Sequence, residues 1–222
     1  MTGWDEHLER EAARYEDGEA RLPDDPDARQ RQLTRMGNAA GGAGLALLMA
    51  GRRGEASEWL HRAAERYRES IADAPAGSWG RPIGAMKSLV LADDWDAAED
   101  AARWALELGA AEAESPIAHY AAALALLILG RDHDAVIHAD TIRTHPDFPH
   151  DVGDALAFSA AQDVVGFTYA VESVLESFET RDEYLEDIPV ADTVLVLQAL
   201  AARRGFAVAL SSPLLPETSE GA

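Results

Sequence analysis

The chain has no cysteine, and among its 19 cationic side chains only Lys87 is a lysine. The first absence excludes disulfides, thiol catalysis and zinc–thiolate centres, and it allows a reducing interior. The second leaves arginine to supply almost all of the positive charge. Aromatic residues are sparse at 7%, and no uncharged run reaches the length of a membrane-spanning helix. The two longest, Met36–Gly51 and Ser115–Gly130, carry Gly or Ala where lipid-facing side chains would stand, so both are expected to be buried helices. The N-terminal MTGWDEHLEREAARYEDGE lacks the positive-then-apolar order of a signal peptide. A soluble, cytoplasmic protein is expected.

What is there in excess is negative charge. Asp and Glu number 40, and the formal net charge is −21. Such a surface repels nucleic acid and anionic lipid and attracts basic proteins. Two readings follow. One is adaptation to high salt, with carboxylates holding water and lysine scarce. The other is an acidic face complementary to a cationic partner, which steers encounter and discriminates among partners. A hydrophobic fraction of 47% over 222 residues provides ample material for a folded core.

Apolar residues recur at helical steps throughout. Leu33, Met36, Ala40, Gly44, Leu47 and Leu48 share one face of a helix spanning 27–50. Its GNAAGGAG segment is expensive in an isolated helix, at about 1 kcal/mol per Gly relative to Ala, and close helix–helix contact would offset that. A phosphate cradle does not fit, because no Lys-Ser/Thr follows. Asp94 is placed to cap one helix, and Ser115-Pro116 opens another, IAHYAAALALLILG, that is apolar all round. An apolar helix, a Gly- or Asp-rich turn and an amphipathic helix recur in LLMAGRRGEASEWL, LVLADDWDAAEDAARWAL and LLILGRDHDAVIHA. The period is irregular. The pattern predicts an all-α irregular array of antiparallel helical hairpins, tetratricopeptide-like, of about 9–10 helices. One domain over 1–216 and a disordered tail over 217–222 are expected.

Few residue groups suggest chemistry. Four histidines fall between His133 and His150, and the loop HPDFPHD would bring His145, Asp147, His150 and Asp151 together. Their spacing matches no HExxH pattern and suits helix ends. Trp59, Trp95 and Trp104 sit near apolar faces and are expected in the core. Trp79 differs. It enters a helix in GSWGRPI beside Arg81, either as a staple fixing the chain's approach or as a partner contact. The run 179–189 sets five carboxylates around Tyr184, and as a connector between apolar helices it is expected to be solvated or to bind a partner. Trp79, Arg81, Asp182, Glu183, Tyr184, Glu186 and Asp187 are therefore the candidate partner-binding residues. No catalytic residue, cofactor or metal ligand is assigned.

From about 78 to 216 the order of features resembles the immunity protein 49 family of polymorphic-toxin systems. The resemblance rests on GSWGRPIGAMKSLVLADDWDAAEDAA, QDVVGFTYAVESVLESF and LVLQALAARRGFAVALSSPLLP. It implies an all-α intracellular protein that binds and neutralises a toxin encoded beside it, and in its pattern a short apolar strand follows the Arg-Gly near 205. No residue role carries over. The leading expectation is thus a non-enzymatic protein that occludes a cognate toxin, with a basic toxin as the electrostatic match. The alternatives are a helical-repeat scaffold with a peptide-binding groove, and a metal-dependent enzyme using His133–His150.

Overall fold

The short Gly- and Asp-rich turns between apolar and amphipathic segments do build helical hairpins. The computed structural model describes residues 3–217; of the tail expected over 217–222, all but the first residue lies outside them. Among the described residues ten α-helices run in order: α1 Gly3–Ala20, α2 Pro26–Met49, α3 Arg53–Ser70, α4 Gly80–Leu91 and α5 Trp95–Glu107. They continue as α6 Pro116–Ile128, α7 Asp132–Arg143, α8 His150–Ala161, α9 Val164–Glu179 and α10 Asp192–Arg203. A 3-10 turn, Leu185–Asp187, lies in the connector before α10.

Four hairpins, α2–α3, α4–α5, α6–α7 and α8–α9, share one turn. Each turns through a left-handed residue: Gly51, Asp93, Gly130 or Gln162. The amide following that residue then bonds back to the last turn of the preceding helix, as in Arg52 to Leu47 at 2.9 Å and Arg131 to Leu126 at 2.8 Å. This is the Schellman closure, which satisfies orphan carbonyls and reverses the chain. Glycine provides the left-handed geometry freely at two turns, and Asp93 and Gln162 adopt it at the other two, which hides the repeat from a consensus search. Asp94 and Asp163 then cap the helices that follow, accepting from Ala97 and Gly166 at 3.0 Å each.

Even-numbered helices meet one another along the array, α2 with α4, α4 with α6 and α6 with α8, whereas odd-numbered helices lie in an outer row. Tighter spacing on one row bends a solenoid toward it. Across that inner row the chain returns: α10 packs on α4, α8 and α9, and the connector before it touches α2. Val194, Leu197 and Leu200 of α10 are buried in the main core. Arg204 locks its end, donating to the Leu127 carbonyl at 2.7 Å and pairing with Asp132.

Two expectations need correction. The segment 206–210 forms no strand; it is extended coil, held by the Gln198 amide donating to the Val208 carbonyl at 2.9 Å. No neighbouring strand exists among the described residues, and a lone strand cannot satisfy its own backbone. Trp59, Trp95 and Trp104 are half-buried, not fully core. Each lies at the core's edge beneath a guanidinium, from Arg62, Arg203 and Arg68 respectively, at 4.4–5.1 Å from ring centre. No helix among the described residues is long and apolar enough to cross a membrane.

Candidate binding cleft

Where α10 returns across the inner row, it does not fill the space in front of α2 and α4. A cleft of about 620 Å³ remains there, within the range of about 300–1,000 Å³ usual for ligand pockets. One wall is α2, which presents Thr34, Asn38 and Gly41; the other is the 178–193 stretch. The floor is α4, with Arg81, Ile83 and Lys87. Exposed Gly77, Gly80, Glu183 and Leu185 mark the mouth.

Five of the seven candidate residues line this cleft: Trp79, Arg81, Glu183, Tyr184 and Glu186. Segments a hundred positions apart are thereby brought to one place. Asp182 and Asp187 do not line it; both are exposed beside it. Trp79 occupies the N-cap position of α4 without a side-chain cap and packs its ring on the core. The Tyr184 hydroxyl donates to the Phe178 carbonyl at 2.7 Å, so the ring is fixed.

The acidic connector is not uniformly solvated. Glu186 turns inward, pairs with Arg14 and accepts from Asn38 Nδ2 at 3.1 Å. Its carbonyl accepts from Arg10 at 2.6 Å, and Arg10 and Arg14 also hold the fully buried carboxylate of Glu11. Glu186 and Asp187 both sit at positive φ, 56° and 54°. Such backbone costs about 1–3 kcal/mol per residue and persists only where surroundings impose it. Here the α1 arginines and Asn38 do so.

Sequence reasoning passed over Lys87, which lies at the cleft floor. Its Nζ pairs with Asp192 at 2.5 Å and donates to Thr193 Oγ1 at 3.1 Å. Burial opposes its charge, but Asp192 and Tyr120 outweigh it, so its pKa lies above the ordinary lysine value. An amine held protonated in this way is an anchor of α10 to α4, not a nucleophile. Its one signal in the sequence was compositional, as the chain's single lysine. Nearby, the buried Tyr67 hydroxyl donates to Asn38 Oδ1 at 2.8 Å, and desolvation pushes its pKa up.

Arg81 bonds only neutral groups, Thr34 Oγ1 at 3.1 Å and the Gln30 side-chain oxygen. Burial pushes its pKa down. Arg181, also on the lining, stacks at 3.8 Å on Phe178 and donates to the Ser177 carbonyl at 3.2 Å.

The His133–His150 region assembles differently. His133 is exposed. His138 meets His119 of α6, Nδ1 to Nδ1 at 2.9 Å. His145 Nδ1 accepts from the Asp147 amide, and His150 donates to the Arg143 carbonyl at 2.6 Å. Among the described residues no three His, Asp or Glu side chains converge as a metal site would need.

The fold and cleft together define a helical-hairpin array closed across its inner face by its own last helix, with a side-chain-lined cleft left open beside it. Compared with models of known families, with curated proteins and with solved structures, the chain finds no match.

Proposed function

We propose that this chain is a non-enzymatic cytoplasmic binding protein of the immunity kind, which neutralises a toxin encoded beside it by stoichiometric binding at the mouth of the cleft. The observation that carries the reading is the convergence of Trp79, Arg81, Glu183, Tyr184 and Glu186 on one opening. Half-buried aromatic rings beside an arginine supply the anchors found at the energetic centre of protein interfaces. Exposed Asp182, Glu183 and Asp187 surround them with negative charge, which suits a basic toxin and speeds encounter. The resemblance to the immunity protein 49 family supplies the class of partner.

The scaffold reading is less favoured, because α10 and the connector occupy the inner face that a long peptide would need. Co-expression with the toxin encoded next to this gene tests the proposal. Rescue of growth and a 1:1 complex on gel filtration are expected, and a Trp79→Ala, Tyr184→Ala double variant should lose both. Absence of rescue and of any complex with the unaltered chain would overturn it.

A further inference from the structure

With 40 carboxylates for 19 arginine and lysine side chains, an arginine in this chain has no shortage of anionic partners. Arg10, Arg14, Arg52, Arg66, Arg143 and Arg204 each take one. Two of the arginines that take none lie on the lining of the cleft. Arg81 and Arg181 both line it, and each bonds neutral oxygens or an aromatic face only.

The carboxylates that share the lining do not compensate. Glu186 is committed to Arg14 and Asn38, and Asp192 to Lys87. Glu183 is exposed at the mouth. Arg181 is close enough to Lys87 to oppose its protonation, so the cations act on a shared space. The remaining lining is mostly apolar and aromatic, with Ile83 at the floor and the half-buried Trp79 and Tyr184 along the walls. A pocket of this size, apolar over most of its wall with a few polar groups among them, has the character of a small-molecule site.

We propose that the cleft binds a small organic carboxylate, with its anionic head at Arg81 and Arg181, the lining cations that lack a carboxylate partner, and a flat apolar body against Trp79, Ile83 and Tyr184. A guanidinium offers a planar pair of donors to a carboxylate, and partial burial makes such a pair stronger than one in water. The excess negative charge of the whole chain disfavours anions in general, so only one that also buries apolar area gains enough to enter. The site requires no protein partner and stands or falls apart from the toxin reading.

Titration calorimetry with three probes tests it: 2-naphthoate, its neutral isostere 2-naphthamide, and acetate. Saturable 1:1 binding of 2-naphthoate is expected, about tenfold or more tighter than 2-naphthamide, with no measurable heat from acetate. Arg81→Gln should erase the preference for the charged probe, and Arg81→Lys should keep part of it. Because Arg81 also bonds Gln30 and Thr34, each variant is first checked for an unchanged cooperative melt. Arg181→Gln provides a second variant, since that side chain is exposed and bonds only to the end of α9 just before it; it too should weaken 2-naphthoate alone. Exposed Arg35→Gln should leave binding unchanged. Equal affinity for the two naphthyl probes, no saturable binding of 2-naphthoate, or an undiminished preference in both Arg81→Gln and Arg181→Gln would overturn the proposal.

Discussion

α2 and α6 hold the two longest uncharged runs of the chain, yet they are buried in different ways. In α6, ten of thirteen residues are buried, and α4, α5, α7 and α8 surround it on all sides. In α2 burial is achieved by closeness. An added Cβ at Gly37 would lie 2.9 Å from the Tyr67 ring, and one at Gly44 would lie 2.7 Å from Leu60. Gly84 of α4 meets the other side of the Tyr67 ring at 2.7 Å, so that ring is clasped between two helices. Gly41, one turn along, has nothing nearer than Ala63 at 3.9 Å and faces the cleft. An apolar run therefore reports that a helix is central. Its glycines report where a neighbour comes close, and a glycine without such a neighbour marks open space.

The largest effect should come from the packed helix. Leu124 is 1% exposed, and Leu124→Ala leaves a void where there is no room to collapse, at a cost of about 2–5 kcal/mol. Urea unfolding measures it. A loss below about 1 kcal/mol, on the same scale, would mean that α6 is not the rigid centre described.

Next in size are Gly37→Ala and Gly84→Ala, which press on opposite sides of the Tyr67 ring. The ring is buried and its hydroxyl is tied to Asn38, so it cannot swing aside, and each substitution should cost about 1–3 kcal/mol. A Tyr67→Ala background should remove most of that cost, because the clash is with this ring alone. A double-mutant cycle with no coupling would break the account of α2 as a close-contact helix.

Smaller effects are expected from a histidine beside each helix. His61 of α3 lies 2.9 Å from Asp94. Burial works against its charge, but Asp94 and the Ser57 carbonyl prevail and raise its pKa. Its contribution is complete below the ordinary imidazole value of about 6.5 and is lost as pH rises through the higher folded value. His138 of α7 has its pKa lowered by burial and by His119, with Glu112 and Asp134 acting against that. Its contribution is present above about 6.5 and is lost as pH falls through the lower folded value. In melting profiles from about pH 5 to about pH 8, His61→Gln should flatten the alkaline arm and His138→Gln the acid arm. If either variant left its arm unchanged, the corresponding pairing would not survive in solution.

Local signals made most of the fold legible. The caps at Asp94 and Ser115, the buried helix after Pro116 and the reading of GNAAGGAG as a close contact each depend on neighbours within a few positions. Residues at the cleft were singled out one by one, as an odd tryptophan beside an arginine and as an acid-rich connector. That Trp79 and Tyr184 share an opening depends on α10 crossing back over the inner row, and no short-range pattern encodes that return. For the same reason Glu186 read as one more solvated acid, although Arg10, Arg14 and Asn38, far away in the sequence, turn it inward. Lys87 was visible only as a composition count until Asp192 was brought beside it.

The smallest effect is the one that separates the two helices most sharply, because its sign reverses. Gly41→Ala removes unfolded-chain freedom and improves helix propensity, together about 0.5–1 kcal/mol, and its methyl meets only ordinary contact at 3.9 Å. The variant should melt slightly higher than the parent, four residues from a glycine where the same change is costly. Gly41→Leu carries the test into the cleft itself. The longer side chain should project into the open space, leave the melt cooperative, and reduce 2-naphthoate binding about tenfold or more. Were Gly41→Ala as damaging as Gly37→Ala, the space in front of α2 would already be filled in solution, and the contrast between a packed α6 and an open-faced α2 would fail.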